Sequence, residues 1–269
     1  MAPHPIERLR WVARAEGAGP SILTREAAAA LASVGDDPPA LVTGCRRVIE
    51  RHPTIGPLWW LAARMLAAED PVEEAWLASA ELDGDETAAV LAAHLPDDAT
   101  VTVLGWPELG ADTLRKRGDL EVLVVDARNE GPHLVRRLES VGVAAYDVPE
   151  GGLGGAVRES SIVLLEADAL GPDGFVGASG SLAAAAVAKA LGIDVWVIAG
   201  AGRVLPARLF EALVKRIEAG DDPWDVDAEL VPLDWTTVVS GPAGPCPAAD
   251  APRRADCPIP PELLRWERA

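Results

Sequence analysis

"SIVLLEADALGPDGFVGASGSLAAAAVAKALGIDVWVIAG", residues 161–200, decides the fold. Two apolar runs, 161–167 and 194–200, flank an alanine-rich segment at 180–191 built from good helix formers. Neither run alternates polar with apolar residues, as a strand with one wet face would. Continuous apolar strands joined through a helix point to a parallel sheet covered on both sides. Between the first run and the helix lies "GPDGFVGASG" (171–180), which reads as a Gly-rich loop. Asp168 sits where the run meets that loop.

Upstream, similar runs occur at 100–105, 120–127 and 144–148, separated by helical patterns at 107–117, 131–141 and 153–159. Another helical pattern follows at 206–219. Before residue 95 only helical patterns occur. "SILTREAAAALASVG" (21–35) offers Ser21 or Thr24 as an N-cap and Gly35 as a stop. "PPALVTGCRRVIERH" (38–52) ends before Pro53, and "GPLWWLAARMLAAED" (56–70) starts with Pro57 in its first turn. "PVEEAWLASAELDGDETAAVLAAHL" (71–95) reads as one long helix with Trp76, Leu77, Ala80 and Leu91 facing inward. "VPLDWTTVVSG" (231–241) is expected to add an edge strand or an extended arm, and the Pro/Ala-rich stretch after it to be irregular. The expected fold is α/β: an N-terminal helical domain (1–95), a Rossmann-like, mostly parallel sheet with helices on both faces (96–240), and a Pro/Ala-rich tail (241–269).

The chain has 269 residues, 49% of them hydrophobic, enough for a full core. No apolar run approaches the ~20 residues of a membrane span, and "MAPHPIERLRW" carries no apolar leader segment. A formal net charge of −18 repels a phosphate backbone, so direct nucleic-acid binding over a broad face is not expected. Cys45, Cys246 and Cys257 have no metal-ligand spacing and read as reduced thiols of a cytoplasmic protein. A bridge between Cys246 and Cys257 is the minor alternative.

Common catalytic and phosphate signatures are missing. "LGWPELG" (104–110) lacks the glycine spacing of a dinucleotide loop, and "GPDGFVGASGSL" (171–182) lacks the lysine of a Walker loop. No G-x-S-x-G elbow is present, and His4, His52, His94 and His133 are scattered, so neither a metal nor a cofactor is expected. Three weaker features remain. Gly177, Ser179, Gly180 and Ser181 at the head of a helix could seat an anion on free backbone N–H groups, or could form an ordinary cap and loop. Asp168 and Arg128 lie at strand ends of one sheet, where ligands of such folds bind, although each alone reads equally as a turn cap or a surface charge. Arg51 and His52 precede a proline turn, where basic residues also suit a helix C-terminus.

Taken in order, several stretches resemble one superfamily. They are "RHPTIGPLWWLAARM" (51–65), "VLVVDARNEGPHLVRRLESVGVAAYDVPEGGLGGAV" (122–157) and "VLLEADALGPDGFVGASGSLAAAAVAKALGIDVWVIAGAGRV" (163–204), followed by the closing pattern "LVPLDWTTVVSGPAG" (230–244) and "DCPIPPELL" (256–264). The superfamily contains the alpha, beta and delta regulatory subunits of translation initiation factor 2B, ribose-1,5-bisphosphate isomerase and 5-methylthioribose-1-phosphate isomerase. The resemblance covers roughly residues 40–269.

In the isomerases a Cys after the first sheet strand and the Asp of a Gly-Ala-Asp motif handle protons on an open-chain sugar phosphate, and Arg residues grip the phosphate. By resemblance Asp168 matches that Asp, Arg128 the strand-end Arg, and Arg203 a position often held by Lys. His52, beside Arg51, falls in the Arg-Pro-Thr segment. The departures are specific: no Cys lies between 95 and 130, Glu166 replaces the motif's Gly, and Ala178-Ser179 replaces an Asn-Lys pair. A positioned base contributes about 10²–10⁴-fold to such a reaction. The leading expectation is therefore a non-catalytic, initiation-factor-subunit-like protein binding a phosphorylated sugar or nucleotide, or a protein partner, at the sheet's carboxyl edge. The alternatives are an aldose-ketose isomerase with Glu166, Asp168 or His52 as a changed base, and a structural interaction domain without ligand. The resemblance also implies a homodimer.

Overall fold

The computed structural model describes residues 19–127, 129–218, 222, 224 and 226–265. Nine strands form the sheet system: β1 Thr100–Leu104, β2 Glu121–Val125, β3 Ala144–Val148, β4 Ile162–Leu170, β5 Gly174–Ala178, β6 Asp194–Ile198, β7 Ala228–Pro232, β8 Val238–Gly241 and β9 Gly244–Pro247. The main sheet runs β3-β2-β1-β4-β6-β8-β9. All its pairings are parallel except β8 with β9. β1, β2, β3, β4 and β6 fall where the apolar runs predicted them, because a continuous apolar run suits a strand covered on both faces.

Helices cover both faces. α5 (Thr87–His94), α6 (Glu108–Leu114) and α7 (Gly131–Glu139) pack on one, burying Leu91, Leu114, Leu134 and Leu138 against Val101, Val103, Val122 and Val124. α8 (Leu153–Glu159) and α9 (Ser181–Leu191) cover the other with Val157, Ala184, Ala185 and Ala188. A third core joins the N-terminal helices α1 (Pro20–Ala32), α2 (Pro38–Arg51), α3 (Gly56–Ala67) and α4 (Pro71–Asp83) to α10 (Ala207–Glu218) and α11 (Pro261–Leu264). α3 is its centre: "GPLWWLAARMLA" is apolar nearly all round, and nine of its twelve residues are buried, including both tryptophans. Asp37 and Asp70 cap α2 and α4, each accepting from backbone N–H groups ahead of it.

The structure corrects six expectations. The long helix at 71–95 is two helices, broken at Gly84–Glu86. Of its inward residues only Leu91 is buried; Ala80 is exposed, and Trp76 and Leu77 are 56% and 52% exposed. α1 and α4 pack together, with Ala27 and Ala28 buried on one and Ala75 and Ala78 on the other, which leaves Trp76 and Leu77 on the outer side. Neither Ser21 nor Thr24 caps α1: the N-cap is Gly19, Thr24 bonds back to Pro20 O, and Ser21 turns to Glu108. The "loop" at 171–180 contains a strand, since the second half of β4 runs past the parallel sheet and folds back antiparallel as β5, on which β7 adds. Finally, β8 lies between β6 and β9 rather than at an edge, and β9 forms inside the stretch expected to be irregular. Pro245 and Pro247 are tolerated there because β9 is an edge strand.

Candidate functional site

Strand order reverses between β1 and β4: from β1 the chain moves outward to β2 and β3, from β4 the other way to β6 and β8. Such a switch point leaves a crevice at the strands' carboxyl ends, the usual ligand position in an open α/β sheet. β1 ends at Leu104, and Gly105 turns the chain at a positive φ of 54°. The head of α9 arrives beside it, since a Cβ on Gly180 (φ 94°) would lie 3.8 Å from the Leu104 side chain.

Asp168 lies on β4 just beyond its last parallel pair, Glu166 with Ile198. The antiparallel register with β5 slips between Ala167 and Ala169, so Asp168 occupies a β-bulge. Bulges re-aim a side chain and are frequent beside functional sites. The side chain is half-buried. The turn after α2 is brought to the same place: a Cβ on Gly56 would stand 2.6 Å from Asp168 O. That turn carries exposed Arg51 and half-buried His52, whose backbone N–H closes α2 on Val48 O at 3.1 Å. Arg128 lies outside the described residues.

Arg203 is held by the protein's own carboxylates. Arg203 is buried at 1% exposure. Its Nη1 donates to Glu166 Oε1 and to Ala167 O, both at 2.8 Å, and its Nη2 to Glu108 Oε2 at 3.1 Å. Glu166 Oε2 accepts from Gly110 N at 2.9 Å, so both oxygens of Glu166 are engaged. Glu108 Oε2 also accepts from Ser21 Oγ at 3.1 Å, which ties α1 to the sheet. Burial pushes the Glu166 carboxyl up, with Glu108 adding to it against the pull of Arg203 and Gly110 N–H. Burial also works against the Arg203 charge, but the carboxylates of Glu166, Asp168 and Glu108 hold it protonated.

At the head of α9, Leu182 N donates to Glu229 Oε1 at 2.6 Å. The glutamate reaches it from β7, where it pairs with Gly177 of β5. Ser179 N is bonded to Asp227 O at 3.0 Å. Ser181 is buried, and its Oγ lies 2.9 Å from where a Cβ on Gly177 would be, so the glycine makes room for the serine. The end of β6 is held similarly: Ala201 N donates to Asp85 Oδ2 at 2.9 Å. Glu108, Glu229 and Asp85 carry no local signal in the sequence. Their partners lie 95, 47 and 116 residues away.

No thiol is near this crevice. β1 runs into Leu104-Gly105-Trp106, and Cys45 sits in the helical core, its thiol pushed by burial up to about 12. Among the described residues no group of three metal-ligating side chains occurs, and no helix is long and apolar enough to cross a membrane.

No protein-family model and no curated protein matches the chain. Solved structures do. The Pyrococcus horikoshii OT3 translation initiation factor eIF-2B superposes with a TM-score of 0.73 at 17% identity, over 91% of this chain and 97% of that one. eIF2B beta from Chaetomium thermophilum gives 0.72 at 14% identity, over 92% and 89%. A chain of the tetrameric eIF2B-beta2-delta2 complex from the same organism gives 0.73 at 16%, over 93% of each chain. With helices leading into a mostly parallel sheet and matches that span nearly the whole length of both partners, the chain has the fold of the initiation factor 2B subunits.

Proposed function

We propose that the protein is a non-catalytic, initiation-factor-2B-subunit-like protein that binds through the carboxyl edge of its sheet, as a homodimer or with another protein. One observation carries this reading. Two of the groups that could grip a phosphate are engaged internally: Leu182 N at the head of α9 donates to Glu229, and Arg203 is held by Glu166 and Glu108. The Cys is absent, and both Glu166 oxygens are spent on Gly110 and Arg203. The beta2-delta2 tetramer shows this fold in an assembly of several chains. Incubation with ribose 1,5-bisphosphate and with 5-methylthioribose 1-phosphate is expected to yield no ketose. Turnover that Asp168→Asn abolishes would replace this reading with an isomerase.

A second reading, a phosphorylated sugar or nucleotide as ligand, is favoured by the β-bulge at Asp168, which lies just past the last parallel pair of β4 and beside the Arg51–Gly56 turn. It gives a signed test. Glu229→Gln removes the negative charge at the α9 N-terminus, and that charge competes with an anion. If a sugar phosphate binds there, the variant binds it tighter, seen as a larger shift in melting temperature at equal ligand. A flat response in both proteins leaves the partner reading.

A further inference from the structure

A separate cavity of about 160 Å³ opens at the carboxyl ends of β6 and β8, away from the β1–β4 switch point. Its walls are backbone and small apolar side chains, among them Ala199, Val239 and Ala251, with Glu81, Arg254 and Asp256 carrying the charges. A closed cavity of about 150 Å³ holds one benzene-sized molecule, so the recess itself takes in a group of about that size, while its mouth opens to solvent.

The charges are equally informative. Glu81 is paired with Arg64, which also holds Glu74 and stacks on the Trp60 ring. Arg254, half-buried at the end of the segment Ala248–Arg254, and Asp256, exposed two residues on, make no ion pair with each other or with any other described residue. Arg254 Nη1 donates to Gly244 O, and Asp256 Oδ1 accepts from Trp60 Nε1 at 3.1 Å. A guanidinium with donors to spare and a carboxylate with an oxygen to spare therefore border one small apolar space. A singly charged ligand would satisfy one and leave the other.

We propose that this cavity binds a small zwitterion, an α-amino acid with a short apolar side chain. Its carboxylate faces Arg254, whose planar fork suits that group. Its ammonium faces Asp256, and its side chain lies among Ala199, Val239 and Ala251. The site is independent of the binding proposed at the switch point.

The test is titration calorimetry on the full chain with L-alanine, against acetate, methylamine and γ-aminobutyrate as probes that carry one charge or hold two far apart. Saturable heat with L-alanine is expected, with the three controls at least about tenfold weaker, the ratio expected for loss of one charged hydrogen bond. Asp256→Asn keeps an acceptor for Trp60 and removes the charge; Arg254→Gln removes the other. Both are expected to lose about tenfold or more in affinity while melting near the parent temperature, and Asp168→Asn to bind alanine unchanged. No saturable heat with any short amino acid would overturn the proposal. So would binding that survives both charge variants, or that Asp168→Asn removes.

Discussion

At the residue scale, Arg203 has the largest energetic stake. It is wholly buried between two carboxylates, and breaking a buried pair by removing one partner costs about 3–5 kcal/mol because the other charge is left uncompensated. Arg203→Met is expected to lose stability of that order in urea, and Arg203→Met with Glu166→Gln to recover much of it. A double-variant loss equal to the sum of the two single-variant losses would show the pair is not coupled. The thiols make a second residue-scale prediction. Burial raises Cys45 and Cys257 from 9.0 to about 12 and raises half-buried Cys246 as well. Maleimide at neutral pH is expected to label Cys246 first and the other two only on unfolding, read by mass spectrometry. A thiol whose folded value lies above its unfolded one stabilises fully below the unfolded value and loses that contribution as pH rises. Stability is therefore expected to fall between about 9 and about 12, and less steeply in Cys45→Ala measured against its own neutral-pH value. Arg203 also shows the limit of reading residues singly. Its position after a strand marked it as a possible phosphate ligand, but nothing local announced Glu108 or Glu166 as partners.

At the element scale, the junction of α3 with β4 positions the crevice. Gly56 lets the head of α3 approach so closely that a Cβ would stand 2.6 Å from Asp168 O and 3.1 Å from the Ala169 α-carbon. Both are backbone atoms that cannot swing aside. Gly56→Ala is expected to cost about 1–3 kcal/mol by overpacking and to shift the amide resonances of 167–170. Gly118→Ala, with nothing within 4 Å, is expected to stay within about 0.5 kcal/mol of the parent. Thermal unfolding of both variants checks this, and similar melting temperatures would show that the contact yields. The positions of β1, β2, β3, β4 and β6 were legible because apolar runs and helix periodicity are local properties of the chain. β5 was not, because "GFVGA" (174–178) has the composition of a loop and becomes a strand only by pairing with β4 and β7.

At the scale of the whole molecule, the acidic chain folds around three cores linked by carboxylates: Glu108 to α1, Asp85 to the β6 end, Asp256 to α3. If the carboxyl edge serves assembly, light scattering is expected to return twice the 28.1 kDa chain mass, and a monomer at all concentrations would remove the homodimer from the proposal. The sequence by itself determined the helical character of the N-terminal part, the positions of β1, β2, β3, β4 and β6, and the parallel class of the sheet. These follow from backbone periodicity and continuous burial, which act over a few residues. Only the tertiary structure decided that Trp76 faces out, that Glu229 fills the head of α9, and that Arg203 is an internal ion-pair partner. Each depends on which distant segment arrives alongside, 47 residues away for Leu182 and Glu229 and 95 for Arg203 and Glu108, and side-chain charge is satisfied through space rather than along the chain.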